Sequence, residues 1–372
     1  MARFLPAMTR TLARWRKGAT AVLVIVSYAT VLADTGPRGF VDPLDAPAAA
    51  VAGAQAKPMM AVARAGERLL AAGMRGVIVY SDDRGESWQQ AASPVQSDLT
   101  ALAFVDARLG WAVGHDGVIL ASADGGKTWT RQLDGRIAAG QFADHYRARV
   151  QEGQPGADKL LQEIERNYQR GPTLPFLDVA FDDAQRGFAV GPFGMIAATE
   201  DGGKTWQPWL ERVDNPGLLS LYAARRIGGE LYLAGERGMV YRLDRAKGVF
   251  MRMPTGYAGS LFGIVGNDRV LVAYGLRGNV AISTDAGASW AVKSLPVPLG
   301  LTGAAVLNDG RVVLGSIAGM LWLADAQGAA FQPVASDYSA PVAALQALGA
   351  DRVAVAGLRG VVVQRVMSAP RP

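Results

Sequence analysis

The amino-acid sequence predicts an all-β fold, a seven-bladed β-propeller with one helical insertion between blades 2 and 3. Three observations carry this expectation. A phrase of the form Ser/Thr-x-Asp-x-Gly-x-Ser/Thr-Trp occurs four times, at residues 81–88, 122–129, 199–206 and 283–290. A Gly-x-x-Gly turn between apolar runs recurs at 73–76, 114–117, 191–194, 235–238, 275–278 and 357–360, with a Ser-x-x-Gly variant at 316–319. Of the six spacings between successive turns, five lie between 40 and 44 residues and one is 77. A unit of roughly 40 residues with three or four short strands matches a propeller blade.

Each Asp phrase follows a run of strand formers and is read as a hairpin turn. The carboxylates of Asp83, Asp124, Asp201 and Asp285 accept backbone N–H bonds there, and Trp88, Trp129, Trp206 and Trp290 open the next strand as apolar wedges between sheets. One carboxylate per turn is too few for a hard cation, which wants about six oxygens. No metal site is expected.

Residues 1–33 read as a signal peptide. Arg3, Arg10, Arg14, Arg16 and Lys17 precede an apolar core from Ala19 to about Leu32, and Val31-Leu32-Ala33 supplies small residues at the cleavage positions. The segment holds five basic residues and no acidic ones, so its removal takes the net charge from +5 to zero. The sequence pI of about 9.5 therefore carries no nucleic-acid footprint. Cysteine is absent, which excludes disulfides and thiol chemistry.

Residues 34–57 form a Pro- and Ala-rich N-terminal segment, and 58–372 the propeller. The seventh unit ends after 361–366 without an outermost strand, so residues near 39–48 are expected to supply it and close the ring. Residues 134–172 change character. Leu160, Leu161, Ile164 and Tyr168 fall on one helical face, Gln141–Gln151 suits a further turn or two, and a Gly pair at 153 and 156 separates them, giving a helical hairpin.

In a four-stranded meander the Asp turns, between strands 3 and 4, lie on one face. The Gly-x-x-Gly turns, between strands 2 and 3, lie on the other, together with any link from strand 4 to the next strand 1. The insertion is such a link. On that face Arg75, Arg237, Arg277 and Arg359 occupy one recurring position, where His115-Asp116, Pro192-Phe193 and Ile317-Ala318 fill the other turns. Four guanidinium groups on a neutral protein suit acidic side chains or phosphate, and an acidic partner segment is the expected ligand. The same position also suits a tolerated, solvated turn residue. The two histidines, His115 and His145, form no recognisable triad or metal set.

The Asp phrase resembles the Asp box of bacterial neuraminidase repeats. In combination with Gly-x-x-Gly at seven blades, it resembles the photosystem II stability/assembly factor family over roughly residues 39–366. That resemblance implies an exported, non-catalytic scaffold that helps assemble a membrane protein complex, photosystem II in plants and cyanobacteria, with an arginine-rich patch. It also implies a monomer without cofactors, in the periplasm or the thylakoid lumen. The rival readings are a sialidase-like glycoside hydrolase and a glycan-binding propeller. The hydrolase would need converging arginines and a Tyr nucleophile with a Glu base. Tyr222 and Glu230 are available, but nothing in the sequence pairs them and no Arg-Ile-Pro element opens the mature chain.

Overall fold

Alternating apolar runs of four to seven residues, cut by Gly and Asp turns, give strands that bury both faces. The computed structural model describes residues 40–328 and 330–366. The expected signal peptide, residues 34–39 and the last six residues lie outside the described part. Among the described residues are seven antiparallel sheets, six of four strands and one of three, each a simple meander. They span 59–90, 99–133, 178–208, 221–254, 261–294, 301–334 and 342–365. The innermost strand of each blade lies beside that of the next, and the last blade returns to the first, so the ring closes by packing. The fold is the seven-bladed propeller the repeats predict.

The core lies between blades. Trp111 of blade 2 stacks on Phe181 of blade 3 with ring centroids 3.4 Å apart, and Trp206 meets the edge of Phe181 at 5.9 Å. Aromatic pairs of this kind add to area burial. Blade 7 meets blade 1 through Val361, Ala354 and Ala356 against Met59, Leu69 and Val79.

The insertion is two helices, α1 (Gly135–Gln151) and α2 (Ala157–Tyr168). Helix α1 begins earlier than its sequence pattern announced. The Asp134 carboxylate caps it, accepting from the N–H groups of Arg136 and Ile137, which satisfies two of the orphan donors of the first turn. Its buried side chains Ala138, Phe142, Ala143 and Tyr146 join the core that links blades 2 to 4.

One expectation is corrected. The sheet of blade 7 has three strands among the described residues, and residues 40–48 do not complete it. Residues 43–51 instead follow the link from blade 1 to blade 2. Gln96 N donates to Pro43 O, Ala48 N to Ser93 O, and Gln90 holds Val51 N and Ala49 O. Arg131 donates to Leu44 O and Arg136 grips Asp45 with two bonds of 2.8 and 2.9 Å. Pro43 and Pro47 have no N–H to give a ladder, whereas these cationic side chains satisfy the carbonyls and the carboxylate of an irregular strap.

Candidate functional site

The Asp turns share one geometry. In the second, Asp124 accepts from the Thr128 hydroxyl at 2.6 Å, the Thr128 N–H at 3.1 Å, the Ser122 hydroxyl and the Lys127 N–H, while Ser122 Oγ accepts from Gly126 N at 2.9 Å. Burial pushes the Asp124 carboxyl up, but these donors outweigh it and bring it down to about 2. At Asp285 the Ser289 hydroxyl leads, followed by the Ser289 N–H and Ser283, again to about 2. Asp83 is likewise lowered, first by the Ser87 side chain, and Asp201 is lowered by Thr205 and Thr199 against an opposing burial effect. Each carboxylate is thus saturated by its own turn. Trp129 and Trp206 are buried, while Trp88 and Trp290 are half-buried. Among the described residues no three His, Asp or Glu side chains converge as a metal set.

The Gly-x-x-Gly turns lie at the opposite ends of the sheets, between strands 2 and 3. The insertion joins them there: α1 starts against the blade 2 turn, where a Cβ on Gly117 would meet the Gly135 backbone at 2.9 Å. Arg75, Arg237 and Arg277 are exposed and hold φ of 55°, 53° and 58°, the left-handed region that few non-glycine residues adopt. Arg359 is exposed in a tight hairpin, its N–H directed at Tyr338 Oη. The four arginines belong to blades 4, 5, 7 and 1, an arc of the ring away from the insertion between blades 2 and 3. They share its face without clustering beside it.

Two features of this face were missed in the sequence. The residue before each arginine position is apolar and exposed on blades 5, 6, 7 and 1: Leu276, Ile317, Leu358 and Met74, each 40–59% exposed. Phe193 of blade 3 adds an aromatic ring at φ 55°. A bulky side chain held both strained and exposed is costly without a partner. The second feature lines the mouth of a central channel of about 570 Å³. Six inner strands carry a register shift at their second residue, namely Met60, Thr100, Tyr222, Phe262, Thr302 and Ala343. Such bulges re-aim side chains, and here all six residues line the channel.

At that mouth Tyr222 packs edge-on to Phe262 at 5.5 Å and donates its hydroxyl to Glu236 at 3.1 Å. Burial, then the Glu236 charge, raises the Tyr222 pKa. Glu230 is not its partner: it opens strand 2 of blade 4 opposite Ile227, at the other end of the sheet. Deeper in the wall Asp178 is buried, accepts from Ala224 N at 2.9 Å and pairs with Arg225.

Beside the insertion, Tyr146 donates to Glu211 at 2.7 Å and accepts from Leu210 N at 3.1 Å, while Arg149 pairs with Glu211 at 2.7 Å. Burial and then the Glu211 charge push the Tyr146 hydroxyl far up, so it remains a donor. Burial lowers the His145 pKa, with Glu211 opposing.

The fold and this face define an Asp-box propeller with one cationic, apolar-tipped end. Residues 80–147 match the family model described as photosynthesis system II assembly factor Ycf48. A curated relative, the photosystem II assembly lipoprotein Ycf48 of Picosynechococcus, is 29% identical over 135 residues, 34% of this chain and 29% of the relative's length. Ycf48 from Cyanidioschyzon merolae and a Ycf48 structure bound to a D1 peptide each align with a TM-score of 0.59 at 16% identity. Each alignment covers 84% of this chain and 96% or 94% of theirs. The WD40 repeats of Rrp9, at 12% identity, give 0.58 over 84% of this chain and 95% of theirs, so the structural likeness establishes the fold. The family match and the curated relative are thus similarities to photosystem II assembly factors over part of this chain and under a third of the relative's length.

Proposed function

We propose that the protein is a non-catalytic assembly scaffold that docks a segment of a membrane protein on its Gly-x-x-Gly face. One observation carries this reading: four exposed arginines and four exposed apolar tips, adjacent in the turns of blades 1, 5 and 7, lie at one end of the ring. Arg75, Arg237, Arg277 and Arg359 supply charge for carboxylates, and Met74, Leu276, Ile317 and Leu358 supply apolar contact. The rigid ring lets the client dock with little rearrangement. The Ycf48 structure with a D1 peptide supports a membrane protein as client. The lipoprotein relative supports an exported site at the membrane periphery, and no helix among the described residues is long and apolar enough to cross a bilayer. The Asp-box residues are assigned to structure. Capture from envelope membranes tests the proposal: changing the four arginines to Glu abolishes client capture, and unchanged capture overturns the reading.

The Tyr222–Glu236 bond favours one second reading, glycoside hydrolysis with Tyr222 as nucleophile. The channel's Arg225 and Arg226 lie about 10 Å further along the same strand at 3.3 Å per residue, away from that pair. Turnover of a fluorogenic sialoside, lost in Tyr222→Phe, would establish it; no turnover dismisses it.

A further inference from the structure

Among the described residues, blade 7 leaves open an edge that the other six blades cover. Its third strand (Gly360–Arg365) pairs with the second from Gly357↔Gly360 to Arg352↔Arg365. The tight hairpin makes Gly357 and Gly360 a hydrogen-bonded pair, so residues 360, 362 and 364 bond inward, a pattern continued by Val366 N to Asp351 O at 2.7 Å. Val361, Val363 and Arg365 therefore turn their N–H and C=O groups outward. In every other sheet a fourth strand occupies that side.

The course of the described residues explains why none of them covers this edge. In blades 1, 4, 5 and 6 the last glycine of the turn backs onto a carbonyl of the link entering the next blade: Val95, Tyr257, Val297 and Ala340. Gly360 backs onto Gln55 O in the same way. The link is kept, but the stretch before it, which would run along the edge, is the strap of residues 43–51 held on blades 1 and 2. Beside the open edge is a groove of about 490 Å³, lined by Val363 and Gln364 and by three arginines, Arg84, Arg352 and Arg365, with Asp83 and Glu86 on the rim. None of the three arginines is in an ion pair among the described residues, whereas Asp83 is occupied by Ser81 and Ser87.

We propose that this edge accepts an extended segment of a partner protein as the missing fourth strand. The segment runs antiparallel to residues 360–365. Its backbone bonds to Val361, Val363 and Arg365, its apolar side chains lie on Val363 and Trp88, and its carboxylates meet Arg84, Arg352 and Arg365. The arginines select an acidic strand. The chain's own last residues, 367–372, contain two prolines and suit the role poorly.

Val361, Val363, Arg365 and Arg352 share the face toward blade 1, so the probe is the capped heptapeptide Asp-Thr-Glu-Thr-Val-Thr-Val, whose acidic and apolar residues fall on one face with the acids toward Arg365, measured by fluorescence anisotropy and amide exchange on the full chain. In the free protein the amides of Val361, Val363 and Arg365 exchange fast, and the peptide protects them. Val363→Pro, which removes one outward donor and spares the inner ladder, weakens binding about tenfold or more. Arg84→Glu with Arg352→Glu does the same, and so does N-methylation of alternate peptide amides on the unmodified protein. Equal binding of the N-methylated peptide, or no binding of the parent, overturns the proposal. So does protection of those amides in the free protein: concentration-independent protection assigns the edge to a segment of this chain, concentration-dependent protection to a second copy.

Discussion

Replacing Tyr146 by Phe tests how the insertion is fastened to the ring. The ring stays buried and its shape is kept, so only the hydroxyl is lost. That hydroxyl accepts the Leu210 N–H and donates to Glu211. Glu211 keeps Arg149 at 2.7 Å, so the lasting orphan is the buried Leu210 N–H. An unsatisfied buried donor costs about 1–3 kcal/mol. Phe142→Ala provides the scale, since emptying a fully buried phenylalanine site costs about 3–5 kcal/mol. Urea titration gives the global change, and amide exchange localises it. For Tyr146→Phe, α1 and the Leu210 amide should exchange about five- to a hundredfold faster, with blades 5–7 unchanged. A shift below about 0.3 kcal/mol, or faster exchange spread evenly over the ring, would refute the claim that this hydroxyl joins α1 to blade 3.

Other consequences follow from the turns. Trp129→Ala, which removes a buried wedge bonded to Gly126 O at 3.0 Å, should cost about 3–5 kcal/mol in denaturant unfolding. Gly238→Ala should lower stability by more than the roughly 1 kcal/mol of an ordinary Gly→Ala at positive φ. The reason is that its new Cβ would lie 1.8 Å from Tyr257 O, and a thermal melt reads the loss. The Asp boxes set an acid limit. With folded pKa values of about 2 at Asp124 and Asp285, below the ordinary 3.8, their contribution is complete above pH 3.8 and is lost as the pH falls through 2. Asp124→Asn should flatten the fall in stability across that window, measured by unfolding at stepped pH.

The blade count and the two-faced arrangement were legible because they rest on local chemistry. The Asp, Gly and Trp of each turn bond within eight residues, so their spacing survives in the sequence. In blade 2 the strands Leu99–Phe104 and Gly110–Gly114 are the apolar runs on either side of one Asp-bearing turn. Ring closure was not legible, because tertiary partners decide it. Residues 43–51 have strand-like length, yet Arg131, Arg136 and Gln90, 39 to 91 residues away, hold them elsewhere. The start of α1 was hidden by Gly135 and Gly140, poor helix formers, although Asp134 is an ordinary cap. At the candidate face the arginines stand out by their repeat, whereas the apolar tips vary in type among Met, Leu and Ile, and Glu236 takes their place on blade 4, so they carry no motif. The Tyr222–Glu236 pair crosses from one strand to the turn of the next and left no motif.

Clients are proposed to dock on the Gly-x-x-Gly face. Photo-crosslinking tests it most directly, with a benzophenone side chain placed in turn at Leu276 and Leu358 on that face and at Ala123 and Ala286 in the Asp-box turns. Docking on that face gives adducts with a membrane protein from Leu276 and Leu358, lost when the four arginines become Glu. Adducts formed from Ala123 and Ala286 instead would contradict it.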